Sequence, residues 1–258
     1  MMYTFDIIIK NNNPDFGSFI HCVSTYAFLL QKSGQTFNDD YHLVQKDNTV
    51  TISVYCAEKT FLNPKNNMVQ IDEMIEKIET NAKTKITYIE TGFEAQRSLY
   101  KLPENSSFYV LYSRFKEGSP LLCGDTFMLI PPYKIPYTDF DEMTYDNLNF
   151  WDNDYQRFFG MWMNGMYEEF AQEQLQNPLS KLNIEGRKIC AKIEELTGVP
   201  TYYFLFNYRN WTAKEDLERK CPMTGKDWLI EGKTDDDYIA FKCDESRLVS
   251  QLSSNTNN

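Results

Sequence analysis

The C-terminal part of the chain contains two short segments of similar shape, Arg219-Lys-Cys-Pro-Met-Thr-Gly-Lys-Asp-Trp228 and Phe241-Lys-Cys-Asp-Glu-Ser-Arg-Leu-Val-Ser250. Each contains a cysteine followed by a short turn, and we call them the first and the second knuckle. The acidic spacer between them has the length of a hairpin connection, so we expect the two knuckles to face each other. The rest of the chain is long enough to form a larger body in front of this small β module.

The spacing inside each knuckle is that of a zinc-binding pair that has kept one of its two cysteines. Structural zinc is closed by four thiolate or imidazole donors, supplied in a zinc ribbon by two C-x2-C pairs. Cys221 and Cys243 occupy the first position of each pair, whereas Thr224 and Ser246 occupy the second. Hydroxyl groups are poor zinc ligands at neutral pH, and the module contains no histidine. The sequence therefore predicts a degenerate zinc ribbon held by apolar packing, and zinc bound through Cys221 and Cys243 is the less favoured alternative.

The knuckles and three further stretches resemble the bacterial family DUF2310, which is described as zinc-ribbon-containing and is associated with nucleic-acid binding. The three stretches are Ser119-Pro-Leu-Leu-Cys-Gly-Asp125, Pro131-Pro-Tyr-Lys-Ile-Pro136 and the segment from Gly186 to Tyr203. The resemblance is close over the second half of the chain and loose over the first half. It implies a C-terminal zinc ribbon and a nucleic-acid-binding role, and it implies no chemical reaction.

The net charge of the chain disagrees with the nucleic-acid role. The formal charge is -11, so the mean field repels phosphate and attracts basic partners. Nucleic-acid binding is therefore kept as the alternative function, and it requires the basic residues of the second half to gather on one face. These residues are Arg187, Lys188, Lys192, Arg209, Lys214, Arg219, Lys220 and Lys242.

The N-terminal segment and the hydropathy pattern indicate a cytoplasmic protein. Residues 1–10 contain no apolar stretch behind a basic start, and no window approaches 18 consecutive apolar residues. We therefore expect no signal peptide and no membrane span. In a reducing compartment the six cysteines are expected to be free thiols, which disfavours a disulfide between Cys221 and Cys243.

The alternation of apolar residues predicts an α+β fold in which helices pack on a mixed sheet. We divide the chain into four regions. They are an N-terminal sheet region of order β-α-β-α-β-β-β (residues 1–136), a helical region with a buried strand that joins the same body (137–210), the degenerate ribbon (211–250) and a disordered tail (251–258).

Apolar residues from Leu148 onward recur at spacings of three and four, which predicts one long core helix extending to about Leu175. The methionine and aromatic residues of this stripe are interpreted as packing residues and not as a cofactor site.

An acidic and aromatic segment, residues 137–155, overlaps the start of that helix. Such a segment is either a solvated loop with a helix N-terminus or a docking surface for a basic protein, with aromatic anchors. The candidate partner-binding residues are Asp139, Asp141, Glu142, Asp146, Trp151, Asp152 and Asp154.

Motifs of the common enzyme classes are missing from the sequence: no nucleophile elbow, P-loop, dinucleotide fingerprint or H-E-x-x-H occurs, and the chain has only two histidines. We therefore expect a non-catalytic protein-interaction protein without a cofactor. One form of this function is an acidic immunity- or antitoxin-type protein that neutralises a basic effector. A nucleic-acid-binding protein is the first alternative, and an enzyme of uncharacterised activity is the second.

Overall fold

A computed structural model describes residues 2–37, 42–94, 106–113, 119–136, 145–208, 212–233 and 237–253. The chain forms two compact units. Unit 1 comprises residues 1–104, 116–119 and 128–146, and unit 2 comprises residues 105–115, 120–127 and 147–258. Both units contain a sheet and helices, which confirms the predicted α+β class.

Unit 1 contains a four-stranded antiparallel sheet with β1 as a central strand. Its strands are β1 (Met2–Lys10), β2 (Leu43–Lys46), β3 (Thr49–Cys56) and β4 (Thr87–Glu94), arranged in the order β2-β3-β1-β4. Alternate residues of β1, including Phe5, Ile7 and Ile9, are buried. This alternation places one face of the strand in the core, as the period of two requires.

Two helices of unit 1, α1 (Phe19–Lys32) and α2 (Val69–Ala82), pack against each other. Residues of α1 at helical spacing are buried, among them Val23, Tyr26 and Leu30. The element order βαββαβ with this strand order is the ferredoxin-like arrangement. Two 3-10 helices, Pro64–Asn66 and Pro132–Lys134, also lie in unit 1.

Unit 2 contains a five-stranded mixed sheet. Its strands are β5 (Tyr109–Leu111), β6 (Leu121–Cys123), β7 (Thr201–Phe204), β8 (Phe241–Cys243) and β9 (Leu248–Ser250), in the order β6-β5-β7-β9-β8. The three inner strands are parallel, and the two outer strands pair antiparallel to their neighbours. The inner strand β7 is buried at all four positions, which agrees with the buried strand predicted from its apolar run.

The helices of unit 2 are α3 (Asp146–Met163), α4 (Glu168–Gln176), α5 (Lys181–Thr197) and α6 (Ala213–Glu218). Helix α5 packs on β7 and ends at Gly198, whose φ of 70° provides a left-handed C-cap. Helix α5 lies so close to the Tyr203 and Trp151 side chains that position 186 requires a glycine. A Cβ atom there would lie 2.1 Å from Tyr203 Cε2 and 2.7 Å from Trp151 Nε1.

The division of the chain differs from the one expected from the sequence. The sequence pattern predicts that β5 and β6 belong to the N-terminal sheet region, but they form one sheet with β7 in unit 2. The second knuckle contributes β8 and β9 to the same sheet, so residues 211–250 are not a separate module. Residues 147–208 likewise belong to unit 2. Pairing between strands distant in sequence decides these assignments, and periodicity does not report it.

Two local predictions also need correction. The single long helix expected through about Leu175 is divided into α3 and α4 by a turn that includes Gly165, which has a φ of 65°. The start of the tail, residues 251–253, is held in place and not disordered. Arg219 donates to Gln251 O at 2.6 Å, and the Ser253 amide donates to Asp216 Oδ2 at 2.5 Å. Residues 254–258 lie outside the described part of the chain.

Candidate functional site

The two knuckles bring together the four side chains that correspond to the ligand positions of a zinc ribbon. Cys221 Sγ lies 3.3 Å from Ser246 Oγ, and Cys243 Sγ lies 3.7 Å from Thr224 Oγ1. Both cysteines are buried and unoxidised. We call these four side chains the knuckle cage. Its geometry agrees with the sequence-based expectation that the knuckles face each other.

The backbone has a similar shape in the two knuckles. Four residues after each cysteine the chain adopts a positive φ, 69° at Gly225 and 51° at Arg247. This conformation is easy for glycine and costly for arginine. Arg247 forms two hydrogen bonds to the Glu194 carboxylate, at 2.9 and 2.8 Å, and a third to Asp244 O at 2.7 Å. These contacts stabilise the unusual backbone of the second knuckle.

Aromatic packing next to the cage supports the first knuckle. Trp228 is 3% exposed, packs beside Phe241 with the ring planes tilted by 38° and the centroids 5.2 Å apart, and donates from Nε1 to Arg219 O at 3.0 Å. The Arg219 guanidinium lies 3.8 Å from the Phe241 ring centroid and pairs with Asp216 at 3.0 Å. Apolar and cation–π contacts of this kind agree with the apolar packing expected around the knuckles.

The environment of the Cys243 thiol favours its ionised form. Burial opposes ionisation, but hydrogen bonds from the Ser246 side chain and amide, from Thr224 and from Cys221 outweigh it. The pKa of Cys243 therefore lies below its ordinary value. Cys190 in α5 shows the opposite effect, because complete burial raises the pKa of its thiol. The knuckle cage thus contains a thiol pair with hydrogen-bond donors around one sulfur.

The cage lacks the donor set of a closed structural zinc site. Among the described residues, no group of three or more histidine, cysteine, aspartate or glutamate side chains could hold a metal ion. Thr224 and Ser246 supply neutral hydroxyl groups where zinc requires thiolate or imidazole. Zinc binding through Cys221 and Cys243 therefore stays a prediction. The structure places the four side chains of the knuckle cage next to one another.

The predicted acidic and aromatic surface is largely engaged inside the fold. Trp151 is 4% exposed and packs against Tyr155 and Tyr203, with ring centroids 5.4 and 5.8 Å away. Asp152 accepts a hydrogen bond from Ser113 Oγ. Trp151 is therefore a core residue and not an exposed anchor, because it shares the inward helical face with Leu148 and Tyr155.

The remaining candidates of that surface have different positions. Asp146 is paired with Lys32 at 2.5 Å, whereas Asp154 is exposed and paired with Arg157 at 2.6 Å. The predicted residues Asp139, Asp141 and Glu142 lie outside the described part of the chain. Among the described candidates, only Asp154 lies on an exposed helix position with its carboxylate at the surface.

A different apolar surface lies at the junction of α3 and α4. Every residue from 163 to 170 is exposed, and four of them are large and apolar. We call these four the α3–α4 surface: Met163, 61% exposed, Met166, 61%, Tyr167, 73%, and Phe170, 54%. The spacing of apolar residues predicts that Met163, Met166 and Phe170 belong to the core stripe, so their exposure corrects that prediction. The signal that could have found this surface is Asn164-Gly165, a pair that interrupts helices.

The basic residues required for nucleic-acid binding are mostly paired with carboxylates. Arg187 instead donates to Pro178 O at 3.0 Å, and Arg209 lies outside the described ranges. The pairs are Lys188–Glu185, Lys192–Glu195, Lys214–Glu218, Arg219–Asp216, Lys220–Asp227 and Lys242–Asp244. A carboxylate beside each ammonium or guanidinium group lowers the positive potential that phosphate would meet.

A cavity of about 650 Å³ lies within unit 2 beside α4 and α6. Its lining includes Glu173, Gln176, Asn207, Glu218 and Arg219. The buried amides are already used, since Gln176 Nε2 donates to Tyr208 O at 2.9 Å and Asn207 Nδ2 donates to Asp216 Oδ1 at 3.2 Å. The cavity adjoins the C-terminal end of α4.

Comparison with known proteins identifies the family. Residues 103–206 match the family described as domain of unknown function DUF2310, and residues 211–256 match a second family, domain of unknown function DUF8594. The first match contains the three stretches from Ser119 to Tyr203 that carry the resemblance, whereas both knuckle cysteines lie in the second. No solved structure matches the chain at a significant level.

Two relatives come from Haemophilus influenzae, and each is described as an uncharacterized protein. One is 31% identical over 209 residues, which is 78% of this chain and 77% of the relative. Another is 33% identical over 156 residues, which is 59% of this chain and 75% of the relative. The chain therefore belongs to the DUF2310 family, as the sequence motifs predicted.

Membrane-spanning helices were also expected to be absent. Among the helices of the described ranges, not one combines the length and the apolar composition needed to cross a bilayer.

Proposed function

We propose that this protein is a non-catalytic protein-interaction protein that binds a basic partner through the α3–α4 surface. The observation that carries the proposal is the exposure of Met163, Met166, Tyr167 and Phe170 on one eight-residue stretch. An immunity- or antitoxin-type neutraliser of a basic effector is one form of this function. Carboxylates still attract the basic partner, as the sequence predicts. The apolar contacts with the partner come from the α3–α4 surface and not from Trp151, which is buried.

The residue types of the α3–α4 surface favour protein binding. Methionine is flexible and polarisable and recurs on surfaces that accommodate partner side chains. Tyrosine and phenylalanine provide large contact areas that anchor interfaces. Phe170 is supported from below by Phe158, whose ring centroid lies 5.9 Å away. Contiguous exposed apolar residues with polar surroundings are typical of interaction sites.

The charge next to this surface selects the kind of partner. No lysine or arginine occurs between Arg157 and Lys181, whereas the same stretch contains Glu168, Glu169 and Glu173, which are all exposed. Carboxylates beside an apolar patch attract a basic partner and repel an acidic one. The overall charge of -11 acts in the same direction at longer range.

The backbone also presents two of these side chains in a fixed way. Tyr167 caps α4 with a φ of 51°, and Met166 follows Gly165, which has a φ of 65°. The Met166 amide donates to Met161 O at 3.0 Å and closes the end of α3. A non-glycine residue in the left-handed region is strained, and such strain is found at sites that bind partners.

The test is co-purification from the native host with matched variants. The Met166→Ser/Phe170→Ser double variant should lose a basic protein that the unchanged chain retains, because the apolar anchors are removed. Phe150→Ser is the control, since Phe150 is also exposed, at 63%, but lies on α3 outside this surface. Retention should weaken as salt is raised from about 50 to 200 mM, because screening reduces the attraction of the carboxylates.

Three outcomes contradict the proposal. One is that no protein is retained by the unchanged chain. Another is that the retained partner binds the double variant and the Phe150→Ser control equally well. The third is that the retained species is nucleic acid, which would favour the alternative function.

A further inference from the structure

We propose that the cavity of about 650 Å³ in unit 2 is a binding site for a guanidinium group on a short aliphatic stem. An arginine side chain and a free guanidino compound both have this chemistry. The site is separate from the α3–α4 surface, so the inference is independent of the protein-binding function above. It rests on the cavity, on the buried Asn207 side chain that lines it and on an excess of hydrogen-bond acceptors in the lining.

The lining of the cavity comes from three segments of unit 2. They are residues 173–178 at the end of α4 and after it, residues 205–207 after β7, and residues 215–222 from α6 to the first knuckle. Leu205 and Phe206 are buried and give the lining an apolar part, on which an aliphatic stem packs. The volume lies within the range of pockets that bind small molecules, about 300–1,000 Å³.

Asn207 supplies a buried polar group to this cavity and is only 4% exposed. Its Nδ2 atom donates to Asp216 Oδ1 at 3.2 Å and to Gln251 O at 3.4 Å, and both partners are acceptors, which fixes the orientation of the amide. The described residues give the Asn207 Oδ1 atom no donor, and this oxygen is not among the atoms sealed from solvent. A carbonyl oxygen left open in a cavity indicates a ligand that donates hydrogen bonds.

Two cations of the lining are paired with carboxylates that lie outside it. Arg219 pairs with the buried Asp216 at 3.0 Å and donates to Gln251 O at 2.6 Å. Lys220 pairs with Asp227. Because each cation has its own counter-ion, the repulsion that a positively charged ligand meets in the cavity is reduced.

Three exposed carboxylates of the lining retain acceptor capacity. They are Glu173, Glu215 and Glu218. Glu173 accepts from Asn177 Nδ2 with one oxygen, and Glu215 uses one oxygen in the capping box of α6. The Glu218 carboxylate lies 3.8 Å from Lys214 Nζ, which is too far for a hydrogen bond. An ionised carboxylate accepts at both oxygens, so the acceptors of the lining exceed the donors it has left.

A guanidinium group complements this imbalance. It carries five N–H donors, no acceptor and a permanent positive charge, and its planar fork binds carboxylates through two parallel hydrogen bonds. A phosphate or carboxylate ligand would add acceptors where the lining already has too many. An ammonium group has the right sign, but it is a compact charge that lacks the fork.

The test is isothermal titration calorimetry of the full-length chain with four probes. Agmatine represents a free guanidino compound, and N-acetylarginine methylamide represents an arginine side chain of a protein. The matching citrulline derivative is the neutral isostere, and the matching lysine derivative carries an ammonium group. We expect at least one guanidino probe to bind, and the citrulline and lysine derivatives to bind at least about tenfold more weakly than the arginine derivative or agmatine.

A matched pair of double variants locates the site. Glu173→Gln/Glu215→Gln removes two charges from the lining and keeps the capping box, because glutamine also serves at its third position. This variant should lose at least about tenfold in affinity for the guanidino probe. Glu168→Gln/Glu169→Gln makes the same change of charge on α4 outside the lining, and it should lose less than about twofold.

The outcomes separate the cavity from the α3–α4 surface, because no partner protein is present. Binding of agmatine alone assigns the cavity to a free compound, and binding of the arginine derivative assigns it to a protein side chain. The proposal is overturned if neither guanidino probe binds at about 10 mM, which is weak even for ligands of this size. Equal binding of the citrulline or lysine derivative, or equal losses in the two double variants, also overturns it.

Discussion

The first turns of α3 and the junction of α3 with α4 have similar compositions and opposite positions in the fold. Residues 146–155 and residues 158–170 both mix aromatic side chains with carboxylates. In the first region Trp151 and Tyr155 are buried and Asp152 is bonded inside unit 2. In the second region Met166, Tyr167 and Phe170 are more than half exposed. Composition therefore does not distinguish an anchor for a partner from a residue of the core.

The difference arises from what each region faces. The inward side of α3 lies against β7 and α5, where Gly186 leaves room for the Trp151 ring and Leu182 O accepts its Nε1 hydrogen at 3.1 Å. The turn after Met163 changes the direction of the chain, so the apolar stripe no longer faces the sheet. Three matched pairs of variants test this comparison. In each pair one substitution is at a residue packed inside unit 2, and the other is at a residue that makes no such packing contact.

The largest effect is expected at Trp151. Trp151→Ala removes a ring that contacts Tyr155 and Tyr203 and leaves a cavity, so the free energy of unfolding should fall by about 3–5 kcal/mol. Phe150→Ala, at the adjacent exposed position, should change it by no more than about 0.5 kcal/mol. Urea unfolding followed by circular dichroism measures both. Equal losses for the two variants would contradict the burial of Trp151.

A smaller loss is expected at Gly186. Gly186→Ala places a Cβ atom 2.1 Å from Tyr203 Cε2, and the resulting overpacking should cost about 1–3 kcal/mol. Gly160→Ala is the control, because a Cβ atom there meets nothing within 4 Å, so this change should stabilise α3 by about 0.5–1 kcal/mol. The two thermal unfolding midpoints should move in opposite directions. A stabilising Gly186→Ala would show that α5 and β7 are not in close contact.

Local features of the fold were predictable from the sequence because they depend on near neighbours. The buried strand at β7 follows from a run of apolar residues, and the facing knuckles follow from the cysteine spacing. The α+β class follows from the same periodicities. The family was also recognisable, because its motifs are contiguous stretches of residues.

Other features depend on contacts between distant parts of the chain. The pairing of β5 with β7 joins residues about ninety positions apart in sequence, and no local pattern specifies such a partner. The exposure of Met166 depends on the short turn between α3 and α4. The apolar residues keep their spacing of three and four through this turn, so the sequence pattern does not reveal it. The spacing pattern therefore wrongly predicts that the α3–α4 surface belongs to the core, and the acidic and aromatic composition wrongly predicts that Trp151 lies at the surface.

A loss in the same range as that at Gly186 is expected at Asp152. Its carboxylate accepts from Ser113 Oγ, and Ser113 is 1% exposed and also accepts from Gln156 Nε2 at 2.7 Å. Asp152→Ala leaves a buried hydroxyl without this acceptor, which should cost about 1–3 kcal/mol. Asp154→Ala, which breaks the exposed pair with Arg157, should cost about 0–1 kcal/mol.

A double-mutant cycle decides whether the contact itself is responsible. In a Ser113→Ala background the cost of Asp152→Ala should fall by about 0.5–3 kcal/mol, because the hydroxyl that needed the carboxylate is gone. The cost of Asp154→Ala should be the same in both backgrounds, since Asp154 shares no partner with Ser113. If Asp152→Ala costs as much without the hydroxyl as with it, the carboxylate is not held by Ser113. The inner face of α3 would then owe its stability to Trp151 and Tyr155, and Asp152 would be available to a partner in the way its sequence context suggests.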